Sequence, residues 1–83
     1  MNKQFVINYI KQVKKEDIAF FALNQGLNVS NKELDLIYYY IKNEYERFFN
    51  NPKEIFEEVY DKLEPDNYQK LIYLYNKYRF FIT

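Results

Sequence analysis

The chain has 83 residues, 12 basic and 12 acidic, with one Gly and no His, Cys or Trp. That is the size of one small domain. Imidazole and thiol catalysis, zinc sites and disulfides are excluded, and a lone glycine leaves no phosphate-cradling loop.

Ten Tyr and eight Phe make 22% of the chain aromatic. Disordered chains are poor in such residues and cannot offset ordering entropy by burial, so a globular core is expected. Phe, Tyr, Ile, Asn and Lys supply 46 of the 83 residues, against two Ala and two Arg. These five residue types have AT-rich codons, which marks a natural gene of an AT-rich genome rather than a designed bundle. No apolar run reaches the about 18 residues of a membrane span. The run Phe5 to Ile10 is broken by Asn8 and followed by Lys11 and Lys14, without a small-residue cleavage site, so the expected location is the cytoplasm.

In chain order, Phe5, Val6, Tyr9, Ile10 and Val13 fall at helical spacing behind Asn2 and predict a first helix. Lys14-Lys15 breaks it. Glu16 and Asp17 sit where acids favour a helix start, and the second helix runs from Asp17 to Gln25. Gly26 ends it as a left-handed C-cap, with Leu27 as the apolar contact that follows such a cap. Ser30-x-x-Glu33 is a capping box, and Val29 with Leu34 forms a hydrophobic staple. The third helix is predicted over 31–49, with Leu34, Ile37, Tyr38, Ile41, Tyr45 and Phe48 as its stripe. At about 28 Å it is expected to be the longest element. Asn50-Asn51-Pro52 stops it. Asn51 as cap, Pro52 at the first position and Glu54 beyond open a fourth helix, with Ile55, Phe56, Val59, Tyr60 and Leu63 inward. Glu64-Pro65-Asp66 ends that helix. Asp66-x-x-Gln69 then predicts a second capping box, opening a fifth helix with Tyr68, Leu71, Ile72, Tyr75 and Tyr78, and Phe81 or Ile82 near its end. No segment alternates over a strand's length. The expected fold is all-α: a single compact domain, 1–83, of about five short helices.

The run from Glu16-Asp17-Ile18 through Gly26-Leu27-Asn28-Val29-Ser30-Asn31-Lys32-Glu33, followed by a longer helix and two shorter ones, resembles a family of small helical proteins of unknown function from low-GC Gram-positive bacteria. The resemblance spans about residues 10–80, mostly as cap and apolar spacing. It implies a bacterial helical domain and no particular activity. The chain departs from the family pattern at Glu44 to Pro52, where the family carries a basic, Arg-containing segment.

Several groups of residues bear on chemistry. Glu54, Glu57, Glu58, Asp61, Glu64 and Asp66 cluster on and after the fourth helix. A divalent cation needs oxygens converging from a shaped loop, and no such loop pattern occurs. The expectation is a solvated face opposite Ile55, Phe56, Val59 and Leu63, with no metal, no cofactor and no catalytic residue. A helix-turn-helix over the second and third helices is disfavoured by its long connection, by Glu33 and Asp35 on the would-be recognition helix, and by zero net charge.

Two surfaces remain. Tyr38-Tyr39-Tyr40 spans about 200° of helix, more than one core stripe absorbs, and Tyr73 and Phe80 raise the same problem on the fifth helix. Interface cores are enriched in such residues. Tyr39, Tyr40, Phe49, Tyr73 and Phe80 are therefore the expected interaction surface of a non-catalytic protein–protein interaction module, with a homodimer as its simplest form. The alternative is a nucleic-acid-associated regulator gripping a strand with Lys11, Lys14, Lys15, Lys70 and Lys77 on the terminal helices. No small-molecule substrate is indicated, and an enzyme is the remotest reading.

Overall fold

A computed structural model of the protein describes residues 3–79. They form six helices: α1 (Lys3–Gln12), α2 (Lys15–Asn24), α3 (Asn31–Asn43), α4 (Tyr45–Asn50), α5 (Pro52–Val59) and α6 (Pro65–Tyr78). There is no strand among the described residues, so the all-α class stands.

The helices begin and end where the polar side chains can satisfy the orphan amides of a first turn. Ser30 Oγ accepts the Glu33 N–H at 3.1 Å, and the Glu33 carboxylate accepts the Ser30 N–H at 3.0 Å, which starts α3. The Asn51 side chain accepts the Glu54 N–H, and Pro52 occupies the first turn of α5, where a missing N–H costs nothing. At the end of α2, Gly26 takes φ +83°, the left-handed region that favours glycine. Leu27 N–H then reaches back to the Ala22 carbonyl at 2.9 Å, and Gly26 N–H to that of Leu23 at 3.1 Å. This is the Schellman pattern, and it drops Leu27 into the core against Ala22 and Leu74.

Several boundaries differ from expectation: α2 opens at Lys15, and the helix beginning at Pro52 ends at Val59, which leaves Tyr60, expected inward, 67% exposed. The helix predicted over 31–49 is broken at Glu44 (φ −123°, ψ 16°) into α3 and α4. The Asn43 side-chain amide donates to the Tyr39 carbonyl, a local bond that competes with helix continuation. Arg47, one turn past the break, pairs with Glu44 and with Glu54 and Glu58 of α5, which turns α4 toward α5. The longest described helix is consequently α6, with 14 residues, against 13 in α3. Helix α6 also opens earlier than predicted. Pro65 sits in its first turn and Glu64 is the N-cap, so Asp66 lies inside the helix instead of capping it.

Long side chains tie the ends of distant helices together. Lys42 of α3 donates to the carbonyls of Ile10, Lys11 and Val13 at 3.1, 2.9 and 3.2 Å, capping the end of α1 with a cation. Asn67, 3% exposed, donates to the Asn28 carbonyl and accepts the Asn28 N–H, and its amide also donates to Glu33. Glu33, 6% exposed, in turn accepts the Glu64 N–H at 2.8 Å. This knot clamps the start of α6 onto the start of α3.

The radius of gyration, 12.1 Å, matches the about 12 Å of a compact chain of this length. The apolar core is nevertheless thin: Val13, Ile18, Ala22, Leu27, Ile55, Val59, Leu63 and Leu74 are buried, with no large side chain fully enclosed among the described residues. A chain of ordinary overall size with a thin core leaves an unfilled space.

Candidate interaction groove

That space is an open groove of about 670 Å³ between α3, α4, α5 and α6. Its wall on α3 is Leu36, Ile37, Tyr40 and Ile41, the inward side of one helical stripe. The break at Glu44 sets α4 at a new angle, so that Tyr45 and Phe48 line the groove rather than prolonging the α3 wall. Helix α5 contributes Ile55, Phe56 and Val59, and α6 contributes Leu71, Leu74, Tyr75 and Tyr78. Ile10 of α1 and Phe21 of α2 close one side.

Ile55, Val59, Leu63 and Leu74 lie deepest, and an aromatic triad lines the groove beside them. Phe48, Phe56 and Tyr75 meet edge to face, with ring centroids 5.8 Å apart for Phe48–Phe56 and 5.5 Å for each ring against Tyr75. Such contacts add stability beyond their area and hold the rings in fixed orientations. Three helices therefore meet at a rigid surface that is apolar and open.

Polar groups are confined to the border. Tyr40 turns its ring into the groove and donates its hydroxyl to Glu58 at 2.9 Å. Glu58 also accepts from Arg47, and that hydrogen bond, with the one from Tyr40, holds its carboxyl below the usual range. Burial, then the bond to Glu58, pushes the Tyr40 phenol up. Arg47 is held cationic by Glu54 and Glu58. Glu44 and Arg79 stand at the groove's edge.

No group of three or more metal-ligating side chains occurs among the described residues. The perturbed groups, Glu33, Tyr40, Arg47 and Glu58, are each bonded within the fold.

The five residues expected to form one aromatic surface are distributed. Tyr39 is exposed and meets Tyr40 edge to face at 5.5 Å. Tyr40 belongs to the groove. Phe49 is half-buried against Tyr45 and Phe48, with Lys3 over its ring. Tyr73 is exposed and lies beneath Lys77. Phe80 falls outside the described residues. Of the basic set, Lys15 pairs with Asp35, Lys70 donates to the Gly26 carbonyl, and Lys77 lies over Tyr73 and Tyr78, while Lys11 and Lys14 are exposed.

Sequence reasoning missed α2. Phe20, Phe21 and Leu23 are 68%, 52% and 69% exposed, more than Tyr39. The signal was present: adjacent phenylalanines cannot share one stripe, as adjacent tyrosines cannot. Asn67 gave no such signal, because its role depends on α6 meeting the loop before α3.

No helix among the described residues is long and apolar enough to cross a membrane. Comparison of the chain with protein-family models, with curated proteins and with solved structures finds no match.

Proposed function

We propose that the chain is a non-catalytic binding module whose groove receives an apolar segment of a protein. The observation that carries this reading is the groove itself: about 670 Å³ of space with an aliphatic and aromatic wall, in a chain of only 83 residues. Empty apolar space lacks the contacts that stabilise a core, and proteins normally fill it. A helix presenting apolar side chains at helical spacing fits such a groove, and specificity then comes from the groups at its border. The basic-face reading has less behind it, since Lys15 and Lys70 are engaged within the fold.

A photo-cross-linking amino acid in place of Tyr45, within the groove, tests the reading in cells of the source organism. Irradiation should give a discrete protein adduct. The same probe at Lys53, which is exposed and outside the groove, should not. Equal labelling at both positions, or none at either, refutes the groove as a binding site.

A further inference from the structure

We infer that the occupant of the groove is a second copy of this chain, seated by the outward face of its α2. The inference rests on the groove being an interaction site and names what fills it.

Helix α2 is apolar on opposite sides. Ile18 and Ala22 are buried in the protomer's own core. Phe20 lies two residues from each, about 200° around the helix, and so points directly away from that core. Leu23 is about 60° from Phe20, and Phe21 bridges from Phe20 to the groove, which it lines. Between Ile18 and Leu23, α2 thus presents large apolar side chains both toward and away from its own core. Within one protomer α2 has only one side covered, so the other interior lies between molecules.

The same protomer thus carries a projecting apolar edge and, adjoining it at Phe21, an apolar recess. Projection and recess on one chain are what a two-fold pair requires, since each copy fills the other. A small apolar ligand would fill the recess and leave Phe20 and Leu23 in water; a second copy covers both. Zero net charge removes long-range repulsion between copies.

Charge sets the direction of seating. Glu16 is one turn before Phe20 on the same face of α2 and is exposed. Arg79 is exposed at the groove's edge and makes no ion pair among the described residues. When Phe20 of one copy enters the groove of the other, Glu16 meets the partner copy's Arg79.

Sedimentation equilibrium from about 1 µM to about 100 µM is the test, with helicity checked by circular dichroism. Wild type should show a monomer–dimer equilibrium in that range. Phe20→Glu with Leu23→Glu, which touches no buried residue, should raise the dissociation constant at least about a hundredfold. Glu16→Arg and Arg79→Glu should each weaken the dimer, and the two together should recover most of the loss. A monomeric wild type overturns the inference, as does a dimer indifferent to the α2 double variant or a charge swap that fails to recover. The Tyr45 cross-link separates the two levels. An adduct with a different protein from a monomeric chain leaves the groove as a binding site and removes the second copy; absence of any adduct removes both.

Discussion

Glu33→Ala should be the most damaging single polar substitution in the protein. The Glu33 carboxylate is 6% exposed and accepts from the backbone N–H groups of Ser30 and Glu64 and from the Asn67 amide. Truncation leaves the Glu64 N–H without its carboxylate and the buried Asn67 amide with only the Asn28 carbonyl at the junction of α3 and α6. Hydrogen bonds to a charged group contribute about 1.5–3 kcal/mol each, and Glu33 accepts two beyond its cap, from the Glu64 N–H and the Asn67 amide, so the loss should reach about 3 kcal/mol or more. Ser30→Ala breaks only the other half of the capping box and should cost about 0.5–2 kcal/mol. A domain of this length has about 4–12 kcal/mol of stability in all, so the first change removes a large share and the second a small one. Urea titration followed by circular dichroism measures both. With a slope near about 1 kcal/mol per molar urea, the Glu33→Ala midpoint should fall by about 3 M. Equal midpoints for the two variants would show that Glu33 is only a helix cap. The pH dependence follows from the same bonds. Burial raises the Glu33 pKa, but the N–H groups of Ser30 and Glu64 and the Asn67 amide outweigh it, and the net shift is downward. A depressed folded-state pKa gives stability that is present above the unfolded value of about 4.3 and is lost as pH falls through the folded value. Glu33→Gln lacks that component, so its stability should approach that of wild type as the solution is acidified.

Gly26→Ala should destabilise by about 1 kcal/mol, because an added Cβ finds room, with Lys70 Nζ at 3.7 Å, but not a favourable φ; a neutral result in the same urea assay would remove the cap argument. Lys42→Met should speed amide exchange in α1, whose last carbonyls Lys42 holds, more than in α6; unchanged α1 protection would contradict that role. Retention on single- or double-stranded nucleic acid at about 50 mM salt should be absent, and retention that Lys11→Glu with Lys14→Glu abolishes would restore the basic-face reading.

What the sequence revealed and what it concealed divide along one physical line. Caps are local. Ser30 and Glu33, Asn51 with Pro52, and Gly26 with Leu27 each act within a few residues, so the helix boundaries they govern could be placed in advance. The break at Glu44 depends on Arg47 reaching Glu54 and Glu58 across a turn, and the start of α6 depends on Glu64 meeting Glu33, 31 residues earlier. The break has no local signature, whereas Pro65 in the first turn of α6 was a local signal that the Asp66-x-x-Gln69 reading passed over. The groove was legible only as a surplus. Aromatic counting showed that helices carry more large apolar residues than their stripes absorb, but which of them turn inward is decided by inter-helix angles. Tyr40 turned in and Tyr39 turned out, although they are neighbours in the chain.

The two ends of α3 show why such a molecule would keep an open groove. At its start, Glu33, Asn67 and Glu64 join three segments through charged and amide hydrogen bonds with narrow geometry. At its end, α4 hinges away at Glu44 and is held to α5 by Arg47, whose partners are partly exposed and therefore screened by water. One end of the helix array is fixed by directional bonds, while the other is spread by a turn and lined with apolar side chains. Collapse of the groove by pulling α4 off α5 is opposed by the Phe48–Phe56–Tyr75 triad, whose edge-to-face contacts join α4 to α5 and α6. On the proposed reading, an occupant entering a recess framed in this way would incur little reorganisation. That is the condition under which a small, thin-cored domain gains more from covering its apolar groove than it loses in ordering a partner.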